Sequence, residues 1–332
     1  MISRICKKIK NMKSIKLWLL LLLGFISVTT FAQKKGQKAQ QATATEHATE
    51  IYREIDTPKP VAETAESSLL WEISGNGLER PSYLFGTIHL IAKEDYFWTD
   101  IMNKKFNTTE MLVMEIDMEN SMMMLFSMLG SVRMKKGTSL QDLLTDDEYK
   151  LVADYFENKM GMPISMFDRI KPMFTSMMIA EGGQEGMEET TSYEMELMNK
   201  AQKREMKIEG LETVKYQMSM FDSIPYEDQA KMLVDAVKGN GEESDNTMDA
   251  MVELYKQQDI DGLYKLIMQS DSEMEAFEDI LLITRNKNWI PKIAKMAAKK
   301  PTFFAVGAGH LPGEQGVINL LKAEGYTVTP IR

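Results

Sequence analysis

"YLFGTIHL", residues 83–90, is an apolar run that breaks at Gly86 and delivers a histidine three residues later. The device returns near the other end of the chain in "FFAVGAGHL", residues 303–311, with Gly307 and His310. These two segments hold both histidines that lie outside a polar N-terminal stretch, in a chain with only three. An apolar run that ends at glycine reads as a strand turning sharply and exposing the next side chains, because glycine permits backbone angles and close approaches that other residues resist.

A third segment, "MLVMEID" (111–117), is another short apolar strand ending on acids, Glu115 and Asp117. In open α/β sheets, ligands bind outside the carboxyl ends of the strands. If the strands before His89, after Glu110 and before His310 are parallel neighbours, their side chains emerge on one edge. Two imidazoles and a carboxylate there suit a divalent metal, and oxygen from Glu115 or Asp117 and water would make manganese, cobalt or iron as suitable as zinc. The chain contains no H-E-x-x-H zinc motif.

Around this frame, "LLWEISGNGLERPSYLFGT" (69–87) predicts a β-hairpin, since turn residues separate two strand-like runs. "EDYFWTDIMNKKF" (94–106) has helical spacing. A long helical middle follows from about Glu119 to Lys300, with Met118, Met122, Leu125, Leu129 and Val132 on one helix face. Within it, Thr145 to Glu148 form a capping-box pattern, Ser223 to Glu227 with Pro225 mark another helix start, and "MKIEGLET" (206–213) reads as a short strand running into a turn. The end returns to strand "TFFAV", helix "EQGVINLLKAEG" stopped by Gly325, and strand "YTVTPI". The fold class is therefore α/β, a central mixed β-sheet flanked by helices with a long helical middle segment.

The N-terminus has the layout of a signal peptide. Six basic residues from Arg4 to Lys16 precede "LWLLLLLGFISV", with cleavage expected after Ala32. That apolar run is short against the ~20 residues of a membrane-crossing helix, so no stable span is expected after cleavage and the product is periplasmic or extracellular. Residues 33–67 are polar and read as a flexible linker in which His47 is solvated, leaving 68–332 as the folded domain. Removing the leader takes away six of 39 basic residues and none of the 49 acidic ones, which moves the formal charge from −10 to −16. Such a charge disfavours nucleic acid and anionic membranes as partners. The lone cysteine, Cys6, falls in the leader, so the mature chain has no disulfide.

Other residues have ordinary readings. Arg285 in "LLITRNKNWIPKI" could clamp a carboxylate or stabilise an oxyanion, but spacing alone favours a helix-end arginine. Glu212 in "GLET" suits a turn or capping role. The 29 methionines, dense in "MENSMMMLFSM", suggest copper handling less than core packing, because they share a helix face with leucines.

Taken in order, "YLFGTIHL", "MLVMEID", "IEGLET", "LLITRNKNWIPKI" and "FFAVGAGHLPGEQGVINLLKAEGYTVTPI" resemble the TraB/GumN family, which includes the Tiki proteins. The resemblance covers roughly Leu69 to Arg332. It implies a metal-dependent peptidase with an erythromycin esterase-like or ChaN-like α/β arrangement, acting on a peptide or protein substrate. It also implies a site made of His89, His310, Glu115 and Arg285, and raises Arg285 above its spacing-based reading. In that role His89, His310 and Glu115 hold the metal, with manganese or cobalt favoured over zinc or iron, and Glu115 and Arg285 serve catalysis, Arg285 also meeting substrate. "EETTSYEMEL" (188–197) lacks a glycine common in the family, so Glu188, Glu189 and Glu194 receive no role. The rival is a non-catalytic protein that captures a peptide, a haem or a metal in the same cleft.

Overall fold

The computed structural model describes residues 67–116, 131–180, 190–238, 242–270 and 277–332. The leader, nearly all of the linker, Asp117, the methionine stripe from Met118 to Leu129, and Glu188 and Glu189 lie outside the described residues.

The predicted hairpin forms: β1 (Leu70–Gly75) pairs antiparallel with β2 (Ser82–Thr87), Leu70 opposite Phe85 and Ile73 opposite Ser82. Next comes β3 (Ile91–Ala92), then α1 (Asp100–Asn107), which starts later than its apolar spacing suggests because the Thr99 side chain caps it by accepting from the Met102 amide. The skipped residues Tyr96, Phe97 and Trp98 instead pack against the core. Strand β4 (Met111–Ile116) follows.

The helical middle contains α2 (Leu140–Leu143), α3 (Asp146–Met160) and α4 (Pro172–Ala180). Thr145 and Glu148 make the expected capping box at the start of α3. Then come β5 (Thr190–Thr191), α5 (Tyr193–Lys203), β6 (Lys207–Glu212), α6 (Val214–Met220) and α7 (Tyr226–Lys238), the last beginning directly after Pro225 as predicted. A helical pair, α8 (Glu242–Lys256) and α9 (Ile260–Ser270), precedes a π-helical turn at Asp279–Ile283 that runs into α10 (Thr284–Ala297). The chain closes with β7 (Thr302–Gly307), a 3₁₀ turn at Ala308–His310, α11 (Val317–Ala323) and β8 (Tyr326–Ile331).

Six strands form one mixed sheet in the order β6-β4-β7-β2-β1-β8. Four neighbours, β6, β4, β7 and β2, run parallel, while β1 is antiparallel to both β2 and β8. Every residue of β2, β4 and β7 is buried. Helices cover both faces of a parallel sheet, which is why these strands appear in sequence as continuous apolar runs rather than alternations. Edge strand β8 does alternate at first, Tyr326 and Val328 inward and Thr327 and Thr329 outward. The main core is built on Leu84, Phe85, Val113, Phe303 and Phe304, and a satellite core around Val152, Phe156 and Leu233 holds α3 and α7 together.

Candidate functional site

The parallel strands bring their carboxyl ends to one edge, as the sequence predicts. Register pairs Thr87 with Gly307 and Ile116 with Glu212. His89 therefore follows β2, His310 follows the adjoining β7, Glu115 is the penultimate residue of β4 on the other side, and Glu212 ends β6. Two glycines make the approach close enough. A Cβ on Gly86 would come within 3.1 Å of the Ala308 backbone, so this glycine lets the His310 turn lie against β2. A Cβ on Gly307 would sit 3.3 Å from Glu115 Oε1 and 3.6 Å from both His89 Nε2 and His310 Cδ2, so Gly307 is the point around which the three side chains gather.

Arg285, at the start of α10, joins them. Its Nε and Nη2 donate to Glu212 Oε1 at 3.0 and 2.6 Å, Nη2 also donates to Glu115 Oε2, and Nη1 donates to His310 Nε2 at 3.0 Å. The π turn ahead of α10 leaves the Leu281 carbonyl to accept from the same Nη1 at 3.1 Å. Trp289, one turn on, lies under the guanidinium at 4.8 Å and donates to Glu212 Oε2 at 3.1 Å. Arg285 is thus a buried, fully engaged cation rather than a helix-end residue, and Glu212 is its partner rather than a turn residue.

The hydrogen bonds define the state of each histidine. A guanidinium only donates, so His310 Nε2 accepts, and its Nδ1 carries the proton that is donated to Asn286 Oδ1 at 2.7 Å. Burial and the adjoining Arg285 push the His310 pKa down to about 3. His89 Nδ1 faces Glu194 Oε1 at 2.9 Å, and the Thr87 hydroxyl donates to the same oxygen at 2.7 Å. Burial alone would lower the His89 pKa, but the Glu194 carboxylate, aided by Glu115, outweighs it and lifts the value to about 9.

Glu115 is held on both oxygens: Oε1 accepts from the Gly307 amide at 2.8 Å, and Oε2 accepts from Gln217 Nε2 at 3.1 Å as well as from Arg285. Burial opposes ionisation, yet Arg285, the two imidazoles and the Gly307 amide bring its pKa down to about 2.

Four of these residues were not foreseen. Glu194 arrives because β5 pairs antiparallel with β3 just beyond His89, and Ser192 then caps α5 so that its first turn faces the imidazole. Asn286, Trp289 and Gln217 come from helix faces next to residues of ordinary appearance. The Arg-Asn pair at 285–286 was the one available signal.

Whether these groups suit a divalent ion depends on their free donor atoms. Both imidazoles tie Nδ1 to a neighbouring oxygen, as metal-ligating histidines usually do; His89 Nε2 faces Gly307, whereas His310 Nε2 accepts from Arg285 and lies 3.8 Å from Glu115 Oε1. Glu115 and Glu212 face one guanidinium and Glu194 faces His89, so carboxylates outnumber the fixed cation in the group. Gln217 Oε1 is buried without a partner among the described residues, a spare oxygen beside Glu115. The donor set fits. In the present arrangement, Arg285 covers His310 Nε2, and among the described residues no three such side chains stand ready to close on an ion.

A model of the TraB/PrgY/gumN family matches residues 69–330. Metalloprotease TIKI2 of Danio rerio is 22% identical over 326 residues, covering 81% of this chain and 62% of that protein. The metalloprotease TIKI homolog of Amphimedon queenslandica is 21% identical over 319 residues, covering 79% of this chain and 61% of its own length. The chain spans about three fifths of the length of these curated relatives. No solved structure matches it.

Proposed function

The chain belongs to the TraB/PrgY/gumN family, and from that premise we propose that it is an exported metal-dependent peptidase in which His89, His310 and Glu115 hold a divalent ion, with manganese or cobalt favoured. The observation that carries this reading is the gathering of His89 Nε2, the His310 ring and Glu115 Oε1 around Gly307 from adjoining strands, with the Nδ1 of each imidazole anchored. A divalent ion, when bound, supplies Lewis acidity that polarises a carbonyl and acidifies water.

The chain's own groups divide the remaining work. Glu194 and Asn286 orient the imidazoles. Glu115, ionised down to about pH 2 and bonded on both oxygens, suits a ligand and is a weak proton acceptor at neutral pH. As a ligand His89 would be neutral, so metal binding would release a proton below about pH 9. Arg285 stays anchored to Glu212 by Nε and Nη2, and its Nη1, released from His310, is the donor for a substrate carbonyl oxygen as negative charge develops there.

The test is cleavage of a mixed peptide library by the purified chain with manganese or cobalt, read by mass spectrometry. Cleavage should stop with a chelator and in His89→Ala and His310→Ala, both still folded by circular dichroism. Peptide binding by the metal-loaded chain without any cleavage would overturn the reading in favour of a binding protein. Export predicts Gln33 as the first residue of protein recovered outside the cytoplasm.

A further inference from the structure

Beside His89 opens a cleft of about 360 Å³, mouth included, with the Gly307–Gly309 backbone as its floor and Ile88, Met251, Tyr255, Leu263 and Ile267 on its walls. Met251 and Tyr255 lie one turn apart on α8, as Leu263 and Ile267 do on α9, so two helix faces converge over the turn that carries His310. Both hydroxyls lining the cleft are committed elsewhere: Thr87 donates to Glu194 and Tyr255 to the Gly86 carbonyl at 2.8 Å. The walls above the floor therefore present mostly carbon, and their ionisable groups are the Tyr255 phenol, already bonded, and the His89 imidazole. Away from His89, a polar or charged group entering there would lose water without gaining a side-chain partner, whereas an apolar one is favoured. Its enclosed part is small, with room for the tip of one side chain and not for a haem.

We propose that this cleft is the specificity pocket for an aliphatic or methionine side chain next to the scissile bond of a peptide substrate. The proposal rests on the peptidase reading, since it is the continuity of the cleft with His89 and Gly307 that makes a peptide its occupant.

The Met251 methyl group reports on the cleft directly. Full-length protein labelled with ¹³C at the methionine methyls would be titrated with capped alanine pentapeptides whose central residue is leucine or aspartate, with the Met251 signal assigned by its loss in Met251→Leu. The leucine peptide should move that signal saturably and bind at least tenfold more tightly than the aspartate peptide. Ile267→Ala should shift the preference toward a central phenylalanine. Equal effects of leucine and aspartate, or no effect of either, would overturn the proposal. Incubating the same peptides with manganese-loaded protein separates the two readings. Selective binding at Met251 without cleavage keeps the pocket and sinks the peptidase. Cleavage indifferent to the central residue, with Met251 unmoved, keeps the peptidase and sinks the pocket.

Discussion

His89 Nδ1–H donates to a carboxylate, while His310 Nδ1–H donates to an amide oxygen. The two residues occupy the same place in the same four-residue motif, at the ends of adjoining parallel strands. Yet His89 is 21% exposed with a pKa near 9, and His310 is 2% exposed with a pKa near 3. The motif accounts for where each imidazole stands, and chain segments far away in sequence determine its charge. At neutral pH without metal, one is an imidazolium that can give a proton and the other a neutral base whose lone pair is covered by Arg285.

The strongest way to break this asymmetry is to remove the cation that maintains it. Arg285→Met would leave Glu115 and Glu212 buried without their counter-charge, and stability should fall by about 3–5 kcal/mol in urea denaturation. The His310 pKa should rise at the same time, and unchanged stability would mean that the buried ion triad does not exist in solution. Next come the exchanges that make one histidine resemble the other. Glu194→Gln should bring the His89 pKa from about 9 to 6.5 or below by NMR titration, and weaken metal binding about 10- to 100-fold in calorimetry. Asn286→Asp should raise the His310 pKa from about 3. With three histidines in the chain, assignment is direct.

Smaller effects come from the glycines. Gly86→Ala presses a methyl against the Ala308 backbone and should cost about 1–3 kcal/mol in thermal or urea unfolding. Gly307→Ala meets side-chain atoms at ordinary or slightly tight distances, so its stability cost should be lower while metal binding suffers more.

The pH dependence of the metal-free protein follows with opposite signs for the two motifs. Relative to an unfolded value of about 6.5, His89 has a raised pKa, so its contribution to stability is full below 6.5 and disappears as pH rises to about 9. His310 has a lowered pKa, so its contribution is full above 6.5 and disappears as pH falls to about 3. Glu194→Gln should flatten the alkaline limb alone.

Much of this arrangement was legible in the chain because buried parallel strands carry unbroken apolar runs. "YLFGT", "MLVMEI" and "TFFAVG" announce β2, β4 and β7, and the glycine at the end of two of them announces the turn. The adjacency of the three strands, the parallel direction and the gathering of His89, Glu115 and His310 at one edge all agree with that reading. The start of α1 was misplaced because Tyr96, Phe97 and Trp98 have helical spacing but bury their rings from a loop. Glu194 was invisible because its approach to His89 depends on two residues of β5 pairing with two of β3, a contact with almost no local signature. Arg285 and Glu212 were undervalued for a related reason: nothing in either neighbourhood shows that each is the other's buried partner.

Binding of a divalent ion is the central claim. Elemental analysis and calorimetry of the purified chain, wild type beside the His89→Ala/His310→Ala double variant, would test it most directly. The expected result is one equivalent of manganese or cobalt bound by the wild type, with a proton released below pH 9, and none retained by the folded double variant. Failure of the wild type to take up any divalent ion after reconstitution, or equal uptake by the double variant, would contradict it.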